Sequence, residues 1–326
     1  SNYLSGFTPA LNLIVNDKLI TLIPRIRGKK ILVVDLFDRI GKGKNIVFPI
    51  AFNDKQLFIT GDYLITIYEN KPYVLFQLSI NNSSDDSISL HSLAPLYIQK
   101  GILNFNNAIP QPQNLTWFEN GYQSWSRCIL RSNEEPYEEI DYDVMKISLQ
   151  NQETFLKGYW ASEWMTALTD KTIRKSLVIG FTTTKHCLSR ITLDKPNSSL
   201  IIGNLHAYSQ YDGISFHKRQ KPILSEELLL MFGDSKNAFQ EYTGVINARM
   251  IPKINRPLSG WCSWYYYYQE INEEEMAKNI SFFEDHPEIP IQLIQLDDGY
   301  FTTIGDYTDI NDKFPNGIPY LIDKIH

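Results

Sequence analysis

Residues 1–233 carry one short apolar run after another, with no helical periodicity between the runs. Residues 30–37 (KILVVDLF) and 45–52 (NIVFPIAF) are rich in β-branched side chains, which favour strands. Residues 63–68 and 73–80 flank Glu69-Asn70-Lys71-Pro72, which predicts a hairpin with a four-residue loop. Further runs lie at residues 176–182, 188–193 and 199–202. Strands in such close succession are typical of an antiparallel β-sandwich, and we predict one for residues 1–233.

The hydrophobic period changes at residue 234. Apolar residues recur every three or four positions from Phe239 to Met250, and Asp234 precedes them as a predicted N-cap. Pro252 marks the end of this predicted helix, and a second proline at position 257 makes residues 251–257 a predicted linker. Residues 234–257 are therefore expected to be a helix and linker between two domains.

Residues 258–326 alternate between strand and helix signals. Residues 258–266 predict a first strand, and Asn272 to Glu275 resembles a capping box that opens a helix. Residues 289–296 predict a second strand that is apolar on both faces, as expected for a covered parallel strand. Another helix begins near residue 318. This order predicts a parallel sheet or a (β/α)8 barrel.

Two adjacent carboxylates, Asp297 and Asp298, follow the second predicted strand. Functional residues of parallel α/β folds collect at the carboxyl ends of strands. Because neighbouring strand residues point to opposite faces, the pair is poorly placed to flank one scissile bond as nucleophile and acid/base about 5 Å apart. Both can accept charge-assisted hydrogen bonds from sugar hydroxyls. A metal-coordinating pair and a helix N-cap with a solvated neighbour are the alternatives that the residues leave open.

Aromatic residues are concentrated in two other places. Residues 261–268 (WCSWYYYY) end the first predicted strand. Trp264, late in that strand, is a candidate sugar platform, because an aromatic face suits the C–H groups of a pyranose, whereas core filling explains the rest of the run. In the predicted sandwich, Trp125 follows the turn signal Asn120-Gly121, and a ligand or an interdomain contact would cover it equally well.

Charge and hydropathy exclude several classes of partner. The formal net charge is -6 and no Lys/Arg run exceeds two residues, so neither nucleic acid nor an anionic membrane is expected as a partner. No run approaches 18 uninterrupted apolar residues, so no membrane span is predicted. A cytoplasmic location is expected, with a signal removed before residue 1 as the alternative.

Cysteine and histidine spacing argues against a metal site. Cys128, Cys187 and Cys262 are an odd, widely spaced set, and buried free thiols are expected rather than disulfides or a zinc site. The six histidines show no ligand spacing, and no H-E-x-x-H, P-loop, G-x-S-x-G or G-x-G-x-x-G motif occurs. We expect no metal and no cofactor.

Four motifs occur together after residue 258: residues 260–265 (GWCSWY), 295–300 (QLDDGY), 304–307 (IGDY) and 314–317 (FPNG). In this order and spacing they resemble the start of the catalytic barrel of melibiase-type retaining α-galactosidases, a family that also includes the raffinose synthases. Residues 120–125 (NGYQSW) resemble the loop by which the family's N-terminal β-sandwich reaches over the barrel mouth. The resemblance implies a multi-domain chain, with a β-sandwich and then the first βα units of a (β/α)8 barrel in residues 258–326.

The resemblance also implies a role for each candidate residue. Asp297 and Asp298 would bind the 4- and 6-hydroxyls of galactose, the edge that distinguishes galactose from glucose. Trp264 would line the galactose subsite, and Trp125 would close over it from the sandwich domain.

The chain departs from the family pattern at two points. Tyr122 and Tyr307 stand where family members often carry Trp, which affects the aglycone side more than the galactose pocket. The family's nucleophile, an Asp in a Lys-x-Asp setting, and its acid/base Asp would both lie beyond His326. No catalytic residue is therefore expected within the chain, which we expect to be an N-terminal portion of a longer protein and inactive alone.

The resemblance predicts a glycoside hydrolase that acts on terminal α-galactosides by double displacement, with this chain carrying the substrate-binding half of the site. The expected partners are an α-galactoside oligosaccharide and either a second copy in a homo-oligomer or a complementing C-terminal segment. A galactosyltransferase of the raffinose-synthase type is one alternative, and a non-catalytic carbohydrate-binding or partner-binding module is another.

Overall fold

A computed structural model describes residues 4–28, 30–54, 57–105, 110–121, 128–132, 159–194, 201–253 and 255–325. Contacts between residues divide the chain into two compact units, Ser1–Pro252 and Lys253–His326. None of the helices in the described ranges combines the length and the apolar character that a membrane crossing requires.

The first unit consists mainly of β-strands. Their bounds are β1 Phe7–Val15, β2 Lys18–Leu22, β3 Arg25–Ile26, β4 Leu32–Phe37, β5 Lys42–Asp54, β6 Leu57–Tyr68, β7 Tyr73–Asn82, β8 Ile88–Ile98, β9 Gly101–Ile102, β10 Leu115–Glu119, β11 Ile129–Ser132, β12 Tyr159–Glu163, β13 Met165–Asp170, β14 Lys175–Phe181, β15 Ser189–Asp194, β16 Ile201–Ile202, β17 Leu205–Phe216, β18 Ile223–Leu224 and β19 Leu228–Asp234. A short 3-10 helix, Pro112–Asn114, precedes β10.

Strands β9 and β16 pair with each other, and the other strands of this unit form two large antiparallel sheets. The six-stranded sheet has the order β12-β15-β17-β8-β1-β2. The eleven-stranded sheet has the order β11-β10-β13-β14-β19-β7-β6-β5-β3, with β18 added to β7 and β4 added to β5. The antiparallel β architecture predicted for this part of the chain is confirmed.

The main core lies between the two sheets. Leu11 and Leu90 from the six-stranded sheet and Phe52 and Phe76 from the eleven-stranded sheet belong to one buried cluster. The rings of Trp117 on β10 and Trp160 on β12 stack at 5.8 Å across this cluster. Apolar side chains from both inner faces thus pack face to face, as in a β-sandwich.

Helix α1 spans Ser235–Met250 and covers the outer face of the eleven-stranded sheet. Its predicted N-cap is confirmed, because the side chain of Asp234 accepts hydrogen bonds from the N–H groups of Lys236 and Asn237. The hydroxyl of Tyr242 on α1 donates to the carbonyl of Phe181 at 2.7 Å. A Cβ at Gly180 would lie 2.5 Å from the Tyr242 ring, so glycine at this position lets the helix approach the sheet.

The predicted hairpin between β6 and β7 is also confirmed. The two strands end and begin on either side of residues 69–72, and Asn70 adopts a left-handed conformation with φ of 59°. Asparagine tolerates this conformation better than most residues, which suits it to the loop.

The second unit begins with two parallel strands. Strand β20, Gly260–Cys262, pairs with β21, Leu293–Gln295, so that Gly260 lies beside Leu293. Between them come helix α2, Trp264–Tyr267, a 3-10 turn, Tyr268–Glu270, and helix α3, Glu273–Asp285. After β21 come a hairpin of β22, Phe301–Thr303, and β23, Asp306–Ile310, and then helix α4, Gly317–Ile325.

A small separate core holds this unit together. Met276 and Ile280 on α3 pack with Leu321 on α4, and Ile271 and Phe314 complete the buried set. The predicted start of α3 is confirmed in part: Asn272 caps the helix by accepting a 2.9 Å hydrogen bond from the N–H of Glu275. The Glu275 carboxylate instead contacts Tyr267 and Lys278.

Both predicted strands of this unit are longer than the observed ones. The first was expected over residues 258–266 and the second over 289–296, but each has only three residues in the structure. Aromatic residues favour strands on average, yet a strand also needs a partner to receive its hydrogen bonds, and β20 and β21 pair over three residues only. The β22–β23 hairpin was not predicted.

Candidate functional site

The chain turns into a helix directly after β20. Ser263 has helical φ and ψ, and its carbonyl accepts a 3.0 Å hydrogen bond from the N–H of Tyr267. Trp264 is therefore the first residue of a short helix, and its predicted position late in a strand is wrong. Its ring meets that of Tyr268 edge to face at a centroid distance of 5.3 Å.

The two aspartates lie in the loop that follows β21. Because β21 ends at Gln295, Asp297 and Asp298 are not neighbours on a regular strand, and the prediction that they point to opposite sheet faces does not apply. The N–H of Asp297 donates a 2.9 Å hydrogen bond to Oγ of Ser263, whose side chain is fully buried. The end of β20 thereby fixes the backbone that carries the pair.

The carboxylate of Asp297 is held by the protein itself. Its Oδ2 accepts a 2.8 Å hydrogen bond from Nε2 of Gln295 and a 3.6 Å contact from the thiol of Cys262. Its Oδ1 accepts a 2.8 Å hydrogen bond from the N–H of Asp298. Since a carboxylate has about four lone-pair sites, three of them are engaged and roughly one remains for a ligand.

The carboxylate of Asp298 differs from that of Asp297. Within the described ranges it accepts no hydrogen bond and forms no ion pair, and the residue is half-buried. Neither of its oxygens accepts a hydrogen bond from a described residue, and in this sense the carboxylate is open. The pair consists of one fixed carboxylate and one open carboxylate.

Glycine at position 299 is required by the turn that follows. Gly299 has φ of 116°, a conformation that L side chains rarely adopt. An added Cβ would also lie 2.7 Å from the carbonyl oxygen of Gln269 and 2.9 Å from Cγ2 of Ile271. The turn therefore packs closely against the segment between α2 and α3.

Aromatic side chains are exposed on α2 and on β23 of this unit. Tyr265 and Tyr266 on α2 are 83% and 82% exposed, and Tyr307 on β23 is also exposed. The ring of Tyr307 meets that of Phe301 edge to face at 5.0 Å.

No described group of three or more His, Cys, Asp or Glu residues could hold a metal ion.

No protein-family model matches the chain. Solved α-galactosidase structures do match it over 97% of its length. GH36 α-galactosidase AgaB from Geobacillus stearothermophilus has a TM-score of 0.55 at 14% sequence identity, and the match covers 43% of that chain. The α-galactosidase from Lactobacillus brevis has a TM-score of 0.56 at 12% identity, and the match covers 42% of it. A variant of GH36 α-galactosidase AgaA from Geobacillus stearothermophilus, in complex with 1-deoxygalactonojirimycin, has a TM-score of 0.54 at 13% identity, with 44% of that chain covered.

The chain has the fold of part of a GH36 α-galactosidase. The resemblance that the motifs indicated is thus confirmed at the level of the fold. The chain spans less than half of the length of these structures.

Of the four residues predicted from the α-galactosidase resemblance, three lie in the second unit and one outside the described residues. Asp297 and Asp298 are adjacent, and Trp264 directly follows Ser263, whose hydroxyl accepts from the Asp297 backbone. Trp125 falls outside the described ranges, as does Tyr122. The expected closing role of Trp125 stays a prediction.

The described residues on either side of Trp125 form hydrogen bonds with one another and with the neighbouring strands. The N–H of Asn120 donates to Oγ of Ser162 at 2.8 Å, and its Nδ2 donates to the carbonyl of Glu163 at 2.9 Å. Asn120 lies directly after β10, and Cys128 directly precedes β11 and contacts Oδ1 of Asn120 at 3.5 Å.

The Glu163 carboxylate forms a buried ion pair with Arg190. Burial raises the pKa of Glu163, and Arg190 opposes this rise.

The cysteines differ in part from expectation. All three are free thiols, but Cys128 is exposed, and Cys187 and Cys262 are only half-buried. The prediction of buried thiols is wrong for Cys128, which directly precedes β11 and is exposed. Burial raises the pKa of Cys187 to about 11, so this thiol stays protonated at neutral pH.

Sequence reasoning missed three residues that build the site: Cys262, Ser263 and Gln295. Gln295 stands two positions before Asp297, and residues two apart share a face of an extended chain, so this contact could have been anticipated. Cys262 and Ser263 stand in one of the motifs, but their contacts with Asp297 depend on the parallel pairing of β20 and β21, which the motif does not specify.

Proposed function

We propose that this chain carries the galactose-binding half of the site of an α-galactosidase-type glycoside hydrolase that acts on terminal α-galactosides. The observation that carries the proposal is the pair formed by a fixed Asp297 and an open Asp298 at the carboxyl end of a parallel strand. The motif resemblance and the shared fold supply the sugar and the reaction class.

The two carboxylates suit neighbouring hydroxyls on one edge of a sugar. Asp298 has both oxygens available, and Asp297 keeps roughly one lone-pair site, so together they can accept from two hydroxyls. In the proposal these are the 4- and 6-hydroxyls of galactose. Glucose carries its 4-hydroxyl on the opposite side of the ring and would leave a carboxylate without a donor, which costs binding free energy.

Trp264 is proposed to line the same subsite. It directly follows the serine that anchors Asp297, and its ring is paired edge to face with Tyr268. An aromatic face at this place would pack on the C–H groups of the pyranose. For Trp125 we propose only the closing role that the resemblance implies.

We also propose that β20, α3, β21 and α4 are the first elements of a (β/α)8 barrel. The parallel pairing of β20 with β21 across a connecting helix supports this. A cleft of ≈ 500 Å³ beside β21 is lined by apolar side chains, among them Phe283, Leu293 and Ile325, and by the polar residues Glu284, Gln292 and Lys324. A further βα unit packed there would bury this surface.

The chemistry is proposed to be retaining double displacement, as the resemblance implies. A nucleophilic aspartate would take the galactosyl group from the substrate oxygen while an acid protonates the leaving group, and water would then release galactose. Both of these carboxyl groups are proposed to lie in sequence that follows His326.

Binding by the 326-residue chain tests the proposal. Methyl α-D-galactoside is titrated against the chain by saturation-transfer NMR, with methyl α-D-glucoside as the epimeric control. We expect binding of the galactoside, at least about tenfold weaker binding of the glucoside, and loss of galactoside binding in Asp298→Asn. Asp312→Asn is the matched control, since its exposed carboxylate lies in the same unit outside the pair.

Two outcomes would contradict the proposal. Equal binding of both sugars by a folded chain would remove the assignment to galactose. Steady hydrolysis of an aryl α-galactoside by the purified 326-residue chain would contradict the placement of the catalytic carboxyl groups elsewhere.

A further inference from the structure

Strand β4, Leu32–Phe37, is an exposed apolar edge. It pairs along one side with β5, and no other described strand pairs with its opposite side. Val33 is 58% exposed, Val34 is 53% exposed and Phe37 is 79% exposed. Every second residue of β4 thus points its backbone N–H and C=O groups away from β5, beside a row of large apolar side chains.

This edge lacks the features that usually prevent an edge strand from pairing with a strand of another chain. Natural edge strands carry Lys, Pro or a bulge, or are covered by another element. Residues 32–37 contain no lysine and no proline, and the β4–β5 register runs without a shift. The one charged residue, Asp35, is neutralised by Lys44 at 2.6 Å on the neighbouring strand.

We propose that β4 pairs antiparallel with β4 of a second copy of this chain, so that the eleven-stranded sheets of the two copies become continuous. A strand edge is complementary to itself in the antiparallel arrangement, because the two copies exchange N–H and C=O groups across a two-fold axis. The same strand edge therefore serves as both binding surfaces of the dimer. The charges suit a second copy as well, since the edge carries no net charge once Asp35 is paired with Lys44.

Side-chain alternation restricts the register. A two-fold axis perpendicular to the sheet keeps each side chain on its own face, so the axis must pass beside one residue and its own copy. An axis at Asp35 would place two carboxylates directly opposite each other, which is destabilising. An axis at Val34 avoids this and places Val34 against the partner's Val34.

The Val34 register also matches the apolar residues best. On one face it sets Leu32 opposite the partner's Leu36. On the other face it sets Phe37, the most exposed residue of the strand, opposite the partner's Ile31, and the Ile31 side chain is itself 45% exposed. Val33 stands opposite the partner's Asp35, and the other pairs cover apolar residues that each copy alone leaves in water.

Molar mass in solution is the first test. By sedimentation equilibrium over a range of concentrations, we expect a species of twice the 37.8 kDa chain mass. Val34→Lys places two ammonium groups against each other and should raise the dimer dissociation constant by more than about tenfold. Ile67→Lys is the matched control, because Ile67 is exposed on the same sheet two strands away from the edge, and it should leave the constant unchanged. A monomeric wild type, or equal effects of the two variants, would overturn the proposal.

Disulfide trapping tests the register. Directly opposed residues of antiparallel strands have Cα atoms about 4.5–5.5 Å apart, within the range of a disulfide. In a Cys128→Ser background, Val34→Cys should form a covalent dimer on mild oxidation, with the bond mapped by mass spectrometry. Asp35→Cys should not, because the two Asp35 Cα atoms would be roughly 8 Å apart in this register. Equal or faster trapping through position 35 would overturn the proposed register.

Discussion

Nε2 of Gln295 lies 2.8 Å from Oδ2 of Asp297, so an amide at the end of β21 holds the carboxylate two residues further along the chain. The same oxygen also contacts the thiol of Cys262 on the neighbouring strand. These groups hold the Asp297 carboxylate in place, whereas no described residue donates to the Asp298 carboxylate. The first two predictions follow from this difference.

Gln295→Glu should weaken galactoside binding without unfolding the unit. The change replaces a donor to Asp297 by a second carboxylate, and a hydrogen bond to a charged group near the surface contributes about 1 kcal/mol, or roughly a fivefold change in affinity. Titration of the galactoside by NMR measures this change in affinity. Gln292→Glu is the control, because it adds the same charge at an exposed position where the backbone N–H, and not the side chain, donates to the carbonyl of Ser259. Equal affinity losses in the two variants would show that the negative charge, and not the contact with Asp297, weakens binding.

Asp297→Asn and Asp298→Asn should differ in their effect on stability. Asparagine at position 297 would place an N–H₂ group opposite the Gln295 amide or the Asp298 N–H, which now donate to a carboxylate oxygen. Two donors that face each other should lower the free energy of unfolding by about 1–3 kcal/mol. Asp298 accepts nothing from the described residues, and its substitution should stay within about 0.5 kcal/mol of wild type. Hydrogen exchange of the β20 and β21 amides gives the local opening free energy. A larger loss for Asp298→Asn would reverse the assignment of the fixed and open carboxylates.

The ion pair between Asp38 and Arg249 should make the first unit sensitive to acid. Burial alone would raise the pKa of Asp38, but hydrogen bonds from Tyr68 and Arg249 outweigh it, and the net pKa is lowered. A carboxyl group whose pKa is lowered by folding stabilises the fold fully above its unfolded-state pKa of about 3.9. This contribution is lost as the pH falls through the lower folded-state value.

Urea unfolding of wild type and Asp38→Asn between pH 7 and pH 2 measures this effect. The difference in unfolding free energy should be constant above about pH 5 and should shrink below about pH 4. Asp62→Asn, which removes an exposed carboxylate from β6, is measured alongside as the matched substitution. A difference that is independent of pH down to pH 2 would contradict the role of the Asp38 charge.

Gly299→Ala should destabilise the second unit more than Gly305→Ala. Both glycines have positive φ, 116° and 100°, so each substitution carries backbone strain of about 1–3 kcal/mol. A Cβ at position 305 meets open space, whereas at position 299 it meets the Gln269 carbonyl at 2.7 Å. Steric overlap should add about 1–3 kcal/mol at position 299. Thermal unfolding of the two variants gives the comparison, and equal losses would show that the turn can move away from residues 269–271.

Elements defined by local signals were predicted well from the sequence. The β6–β7 hairpin and the Asp234 cap of α1 depend on residues within a few positions of each other, and both are confirmed. The strands of the second unit were predicted too long, because their ends are decided by where a parallel partner is present. That partner is some 30 residues away in sequence, beyond the reach of local propensity.

Sequence by itself identified Asp297 and Asp298 as candidates, through a motif that requires only neighbouring residues. Tertiary structure alone decided that Asp297 is fixed and Asp298 is open, since the groups that distinguish them include Cys262 at the end of β20 and Ser263 directly after it. The apolar run of β4 was likewise evident in the sequence, but its lack of a covering partner within the described fold was not. Apolar pattern and turn chemistry are properties of short segments, whereas exposure and hydrogen-bond satisfaction depend on which distant segments meet.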